Sequence, residues 1–205
     1  MELSGATTAN WVAKSANLLV DGLGTPETIG LLLPLHWQTV VLLLAGVATS
    51  SRVVLAADAP ALDGCDAAFV LAAQSDGALD AGVGEVVALS GHPLGLPSGD
   101  LPPFVLDYAR EVPSYADHYG GPRPREVRVE VAGSAVQPVG GIPAATRLLT
   151  TLEPADPVGA GVLLSTLGAG ASLVLLRSGE PQQVATAERA TATAGITLEG
   201  LTRLA

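Results

Sequence analysis

The stretch TIGLLLPLHWQTVVLLLAGVATSSRVVLA, residues 28–56, decides the fold that we predict from this sequence. It begins with a short apolar run over residues 28–33, continues with an apolar helix over 37–48 and ends with a second apolar run over 52–56. Apolar runs without alternation are typical of parallel strands covered on both faces. Strand, helix and strand within this short span make one βαβ unit. The stretch therefore predicts a parallel sheet flanked by helices.

The same alternation of strands and helices extends in both directions from this unit. We predict a first helix over residues 7–23, a short helix over 104–112 that leaves Asp107 exposed, and a loop over 153–161. Helices then follow over 162–167 and 183–194, with a last strand over 196–201. Further strands are expected at 67–73, 85–89, 126–131, 147–152 and 172–176. Such alternation is typical of an α/β fold with a mostly parallel, doubly wound sheet.

The organisation predicted from these elements is a single α/β domain over residues 1–205, a length that fits one domain. Residues 1–89 form the first sheet-forming half, and residues 126–205 form the second. Between them, residues 90–125 carry many glycines and prolines, which favour an irregular connection.

The charge of the chain argues against two classes of partner. Ten basic residues against 20 acidic ones leave a net charge of −10. Such a chain repels phosphate backbones and anionic lipid surfaces, so we expect neither a nucleic acid nor a membrane as partner. Lys14 is the only lysine and the other nine basic residues are arginines, which argues against phosphate loops that depend on a lysine.

Residues 29–48 carry no charge and are long enough to cross a bilayer. Pro34 interrupts them, however, and proline breaks the interior of a helix. The first residues lack the basic and apolar regions of a secretory signal. Cys65 has no second cysteine with which to form an internal disulfide. We therefore expect a cytoplasmic protein.

Five segments of the chain together carry a resemblance to a known superfamily. They are NWVAKSANLL (10–19), IGLLLP (29–34), the helix at 37–46, RLLTTL (147–152) and GAGASLVL (168–175). These segments resemble the amino-terminal domain of adenylate-forming enzymes, the superfamily of acyl-CoA synthetases and peptide synthetase adenylation domains. More narrowly, the chain is similar to small, uncharacterised actinobacterial proteins related to that superfamily. The resemblance implies the fold of the amino-terminal subdomains, and ATP or AMP and acyl compounds as ligands.

The departures from the family's pattern bear on catalysis. Members carry a Ser/Thr/Gly-rich phosphate loop that ends in lysine, and the nearest equivalent here, residues 131–138, lacks the threonines and the lysine. The family's aromatic-histidine position is occupied by PADP, residues 154–157. Since a transferring phosphoryl group needs converging cations, we expect a reduced, non-catalytic relative that acts as a ligand-binding or partner-binding module. No cofactor is firmly implied, and ATP or AMP follows from the resemblance alone.

Four residues are candidates for ligand binding, and none is assigned a catalytic or metal-binding role. Asp156 follows a predicted strand, at the sheet edge where α/β proteins usually bind ligands. Gly159 and Gly161 lie at the opening of a helix, whose N–H groups can hold an anion, although close packing of helix on strand explains them better. His118, beside Asp117, lies in a polar loop, which suits a site and equally suits a solvated surface.

Two other interpretations stay open at this point. The chain could be a ligase-like enzyme completed by another chain, or an independent small α/β hydrolase that uses Asp117, His118 and Asp156. A hydrophobic content of 48% also favours a homodimer or a partner chain, because apolar faces without cover promote association.

Overall fold

The computed structural model describes residues 2–122, 124 and 126–205. Two compact units make up the chain, Met1–Ser134 and Ala135–Ala205. The assignment of all 205 residues to a single domain stays a prediction. Arg125, where the predicted connection ends, lies outside the described residues.

The first unit contains a seven-stranded sheet in the order β5-β4-β3-β1-β2-β6-β7. All pairs from β5 to β6 are parallel, which confirms the prediction of a mostly parallel α/β fold. Its helices are α1 (Gly5–Asn17), which a π-helical turn extends over Leu18–Gly22, α2 (Trp37–Ala48), α3 (Ser75–Asp80) and α4 (Tyr108–Glu111). Its strands are β1 (Thr28–Leu32), β2 (Arg52–Leu55), β3 (Ala67–Leu71), β4 (Glu85–Leu89), β5 (Val105–Asp107), β6 (Val129–Val131) and the boundary strand β7 (Ser134–Ala135).

The centre of this sheet is β1, in which all five residues are buried. Gly30 of β1 lies opposite Val54 of β2 on one side and Ala68 of β3 on the other. From β1 the chain runs through α2 to β2 and then crosses to β3 on the opposite side of β1. Since the direction of winding reverses there, the carboxyl ends of β1 and β3 form the topological switch point, where open α/β sheets usually bind ligands.

The helices that flank β1 both begin after a capping side chain, and α1 begins at Gly5, two residues before its predicted start. Ser4 caps α1, because its side chain accepts a hydrogen bond from the Thr7 N–H at 3.0 Å. His36 caps α2, where its Nδ1 accepts from the Gln38 N–H at 3.4 Å. An imidazole or hydroxyl acceptor at this position satisfies one of the free N–H groups of a first turn. The predicted bounds of α2, residues 37–48, are confirmed.

The second unit contains a four-stranded parallel sheet in the order β11-β10-β8-β9. Its core is small and aliphatic, with Leu148 and Leu149 of the central strand fully buried. Its elements are β8 (Arg147–Thr150), α5 (Pro157–Gly168), β9 (Ser172–Leu175), α6 (Pro181–Ala187), β10 (Ala192–Ala194) and β11 (Thr202–Arg203).

Four predicted elements are wrong. The predicted loop over 153–161 is helical from Pro157, whose fixed φ suits the first helical position. The predicted helix over 183–194 ends at Ala187, and the alanine-rich segment Ala192–Ala194 instead pairs with β8. Residues 196–201 are not a strand, since the last strand is β11.

The fourth correction concerns residues 104–112, which begin with β5 and become helical only at Tyr108. Asp107 is 7% exposed rather than solvated. Its carboxylate accepts hydrogen bonds from the N–H groups of Ser98 and Ala109, at 2.8 and 3.0 Å. Two such bonds offset the cost of burying the charge.

No helix in the described part of the chain is long and apolar enough to cross a bilayer. The uncharged residues 29–48 are divided between β1, a turn and α2.

Candidate functional site

Asp156 lies at the carboxyl end of the second sheet as the N-cap of α5. Its Oδ1 accepts hydrogen bonds from the N–H groups of Val158 and Gly159, at 2.8 and 3.0 Å. The chain's own carboxylate therefore occupies the helix end that would otherwise attract an anion. The role of Asp156 in binding a ligand stays a prediction.

Gly159 and Gly161 both lie inside α5, and both face a backbone carbonyl. A Cβ on Gly159 would overlap the carbonyl oxygen of Glu153, and a Cβ on Gly161 would lie 2.5 Å from that of Gln137. Both glycines are buried. The geometry therefore favours close packing as the reason for these glycines, and their ligand role stays a prediction.

His118 belongs to the first unit, whereas the other three predicted site residues belong to the second. Its ring is exposed, and its carbonyl oxygen accepts from Asn17 Nδ2 at 3.0 Å. Lys14 Nζ pairs with the carboxylate of Asp117 at 2.8 Å and donates to the carbonyls of Pro113 and Tyr115. Side chains of α1 thus hold residues 113–118 in place. The contacts of Lys14 are therefore structural.

Four of the Lys and Arg side chains that the structure describes pair with carboxylates of their own unit. Besides the Lys14 pair, three arginines form ion pairs. These are Arg52–Glu130 at 3.5 Å, Arg110–Asp107 at 3.3 Å and Arg147–Glu188 at 2.6 Å. No group of three or more His, Cys, Asp or Glu side chains among the described residues is arranged to hold a metal ion.

A small cavity lies at the switch point of the first sheet. The sequence did not predict this cavity. It lies between the carboxyl ends of β1, β3 and β4 and the first turn of α2, with a volume of about 10 Å³, which is room for a single water. Gln38, which is 2% exposed, lines this cavity. Its Oε1 has no hydrogen-bond partner among the residues that the structure describes. The polar pair Gln38-Thr39, in an otherwise apolar helix that follows a strand, is the signal that could have indicated it.

Comparison with curated proteins finds a relative that matches most of this chain. No family model matches the chain. A protein of Mycobacterium tuberculosis described as a TIGR03089 family protein is 37% identical over 199 residues, which covers 88% of this chain and 79% of the relative.

Solved structures share the fold at low sequence identity. An acyl-CoA synthetase of Brucella canis matches with a TM-score of 0.78 and 14% identity, over 95% of this chain and 42% of the synthetase. Apo MatB of Rhodopseudomonas palustris matches with a TM-score of 0.72 and 16% identity, over 96% of this chain and 44% of MatB. The amide bond synthetase McbA of Marinactinospora thermotolerans matches with a TM-score of 0.65 and 21% identity, over 94% of this chain and 43% of the synthetase. The chain thus spans less than half the length of these enzymes, and the predicted fold of their amino-terminal part is confirmed.

Proposed function

We propose that this chain, which belongs to the TIGR03089 family, is a non-catalytic, ligand-binding relative of the amino-terminal part of adenylate-forming enzymes. It takes a nucleotide or an acyl compound and releases it unchanged. The shared fold supports the relationship. A cytoplasmic location belongs to the same proposal, because a single buried free thiol suits a reducing compartment.

The observation that carries the proposal is the carboxylate of Asp156 at the start of α5. Adenylation builds negative charge on the oxygens around phosphorus, and an enzyme stabilises that charge with cations and free N–H groups. Here the N–H group of Gly159 is already bonded to a carboxylate, and a negative charge stands beside it. This arrangement opposes the charge that the reaction develops.

Nucleotide binding has a separate line of support. ATP-bound MatB of Rhodopseudomonas palustris is among the similar structures, with a TM-score of 0.71. For this chain we propose binding of the adenylate or acyl part, since a monophosphate needs fewer cations than a triphosphate and an acyl group needs none.

A thermal-shift panel with ATP, AMP, CoA and an acyl-adenylate mimic tests the binding. A ligand present at a hundredfold its Kd should add about 2.7 kcal/mol to the free energy of unfolding. In a chain of this size, that raises Tm by roughly 5–10 °C. Failure of every compound to shift Tm would contradict the binding role.

ATP–pyrophosphate exchange tests the lack of catalysis. We expect none from the chain alone. Exchange by the purified chain would refute the proposal, and exchange only after addition of a second chain would identify a ligase completed by a partner. Hydrolysis of an ester panel that is lost in His118→Ala would identify a hydrolase instead.

Substitutions of Asp156 separate capping from ligand contact. Asp156→Asn keeps a capping oxygen and removes the charge, so AMP should bind about two- to fivefold more tightly. Asp156→Ala should lower the free energy of unfolding by about 1 kcal/mol, because the cap is lost. Isothermal titration with AMP and urea unfolding measure the two effects. Weaker AMP binding by the folded Asp156→Asn variant would show that the carboxylate contacts the ligand.

A further inference from the structure

We propose that the cavity at the switch point of the first sheet is a binding site for a small neutral molecule that carries an N–H or O–H donor on a short apolar chain. The inference rests on the ligand-binding role proposed above and assigns a place to the acyl ligand, not to the nucleotide. Gln38 Oε1 receives the donor, and residues 91–96 form the cover that opens to admit the ligand.

The amide oxygen of Gln38 is buried at the cavity without a hydrogen-bond donor from any residue that the structure describes. An amide oxygen that is buried without a donor is unfavourable, and most buried polar atoms in proteins have a partner. Gln38 is 2% exposed, and its Oε1 lacks a partner within the described part of the chain. The side chain lines a cavity at the edge where this class of sheet binds ligands. The cavity is therefore short of one hydrogen-bond donor.

The walls of the cavity are mostly apolar. Leu33, Leu71 and Leu89 end or follow the strands β1, β3 and β4 and line the cavity. The hydroxyl of Thr39 is already bonded to the carbonyl oxygen of Pro34 at 2.7 Å. No Lys, Arg, Asp or Glu is among the lining residues that the structure describes, and the histidine that lines the cavity, His36, caps α2 through its Nδ1. An apolar body with one neutral donor fits this environment, whereas an ion would lose its hydration without gaining a counter-charge.

Residues 91–96 cover the cavity. Gly91 lines the cavity, and Gly95 lies against the side chains of Trp37 and Gln38. Both glycines have φ of +65 to +69°, a conformation that favours glycine. Trp37 Nε1 of α2 donates a hydrogen bond to the carbonyl oxygen of Pro93 in the cover, at 2.9 Å. Opening the cover therefore requires a change at the two glycines and the loss of this bond.

The size of the closed cavity requires this movement. It holds about one water, so a larger molecule enters only when residues 91–96 shift. Leu94 and Leu96 of the cover are 62% and 49% exposed, and an opened cover can turn such side chains toward an apolar ligand. The Trp37 indole reports this movement, since it holds the cover directly.

Tryptophan fluorescence tests the site. The chain has two tryptophans, so Trp11→Phe leaves Trp37 as the only one. Trp11→Phe protein is titrated with hexanamide and with N,N-dimethylhexanamide, which lacks the N–H donor. We expect a saturable change in emission, with hexanamide bound about fivefold more tightly, which is the usual effect of one hydrogen bond. Gln38→Leu in the same background should abolish that preference, and Gln183→Leu, an exposed glutamine in the other unit, should preserve it.

The outcomes separate this proposal from the broader one. Equal affinity for the two amides, no saturable change, or a preference that survives Gln38→Leu would overturn the site. The comparison of the two amides needs no Gln38 variant, so it still tests the site if that variant fails to fold. A response to AMP in the thermal-shift panel without a response to hexanamide would overturn the site alone. Pyrophosphate exchange would overturn the non-catalytic role and leave the fluorescence result standing.

Discussion

The close contact between α5 and the backbone near Gln137 can be tested by a single methyl group. A Cβ on Gly161 would lie 2.5 Å from the carbonyl oxygen of Gln137, whereas ordinary contact begins at 3.4 Å. The helix or the carbonyl must therefore move by roughly 0.9 Å, and overpacking of this kind costs about 1–3 kcal/mol. Alanine regains up to about 1 kcal/mol of helix propensity. We expect Gly161→Ala to lower the free energy of unfolding by about 1–2 kcal/mol.

Gly168 supplies the matched control in the same helix, because nothing lies within 4 Å of its Cβ position. Gly168→Ala should be neutral or should raise the free energy of unfolding by up to about 1 kcal/mol. Urea unfolding followed by circular dichroism measures both variants, and their Tm values should differ by roughly 4–8 °C. If Gly161→Ala were as stable as Gly168→Ala, close packing would not explain the glycine. Anion binding by this segment would then regain support.

Two further predictions concern the first unit. Lys14→Met should speed amide hydrogen exchange over residues 113–118, because the carbonyls of Pro113 and Tyr115 lose a hydrogen-bond donor. Asp117→Asn leaves those two bonds in place and should therefore change the exchange rates less. Burial raises the pKa of Tyr108 above its ordinary value of 10.0, although its hydrogen bond with Ser15 opposes the shift. The unfolded chain therefore ionises this phenol first, and the free energy of unfolding should fall as pH rises above about 10, by up to about 1.4 kcal/mol per pH unit. Tyr108→Phe should lack this component in urea titrations between pH 9 and 11, and identical pH profiles for the two proteins would contradict it.

The part of the fold that the sequence predicts well is the part with strong local signals. The helix Trp37–Ala48 follows a proline and a capping histidine, and the strand Glu85–Leu89 is a short apolar run between turns. Both have the predicted bounds. The alanine-rich segment Ala192–Ala194 was predicted as helix from its composition, yet it pairs with Leu148–Thr150 of the central strand. There a contact distant in sequence outweighs local propensity.

The candidate sites likewise divide into features that local sequence predicts and features that depend on the folded chain. That His36 would cap α2 is readable from one proline, one histidine and the helix after them. The burial of Asp107 is not, because its partner Ser98 meets it only through the folded loop. The unpartnered oxygen of Gln38 is likewise invisible in the sequence, since any donor could have reached it.

The buried thiol of Cys65 can serve as a probe of opening of the first unit. It is 5% exposed, and it lies within 3.2 Å of the position that a Cβ on Gly30 would take in the central strand. Burial also raises the pKa of the thiol, which keeps it unreactive toward alkylating reagents in the folded state. Because the second unit has no cysteine, the rate of thiol labelling reports how often the first unit opens, independently of its neighbour.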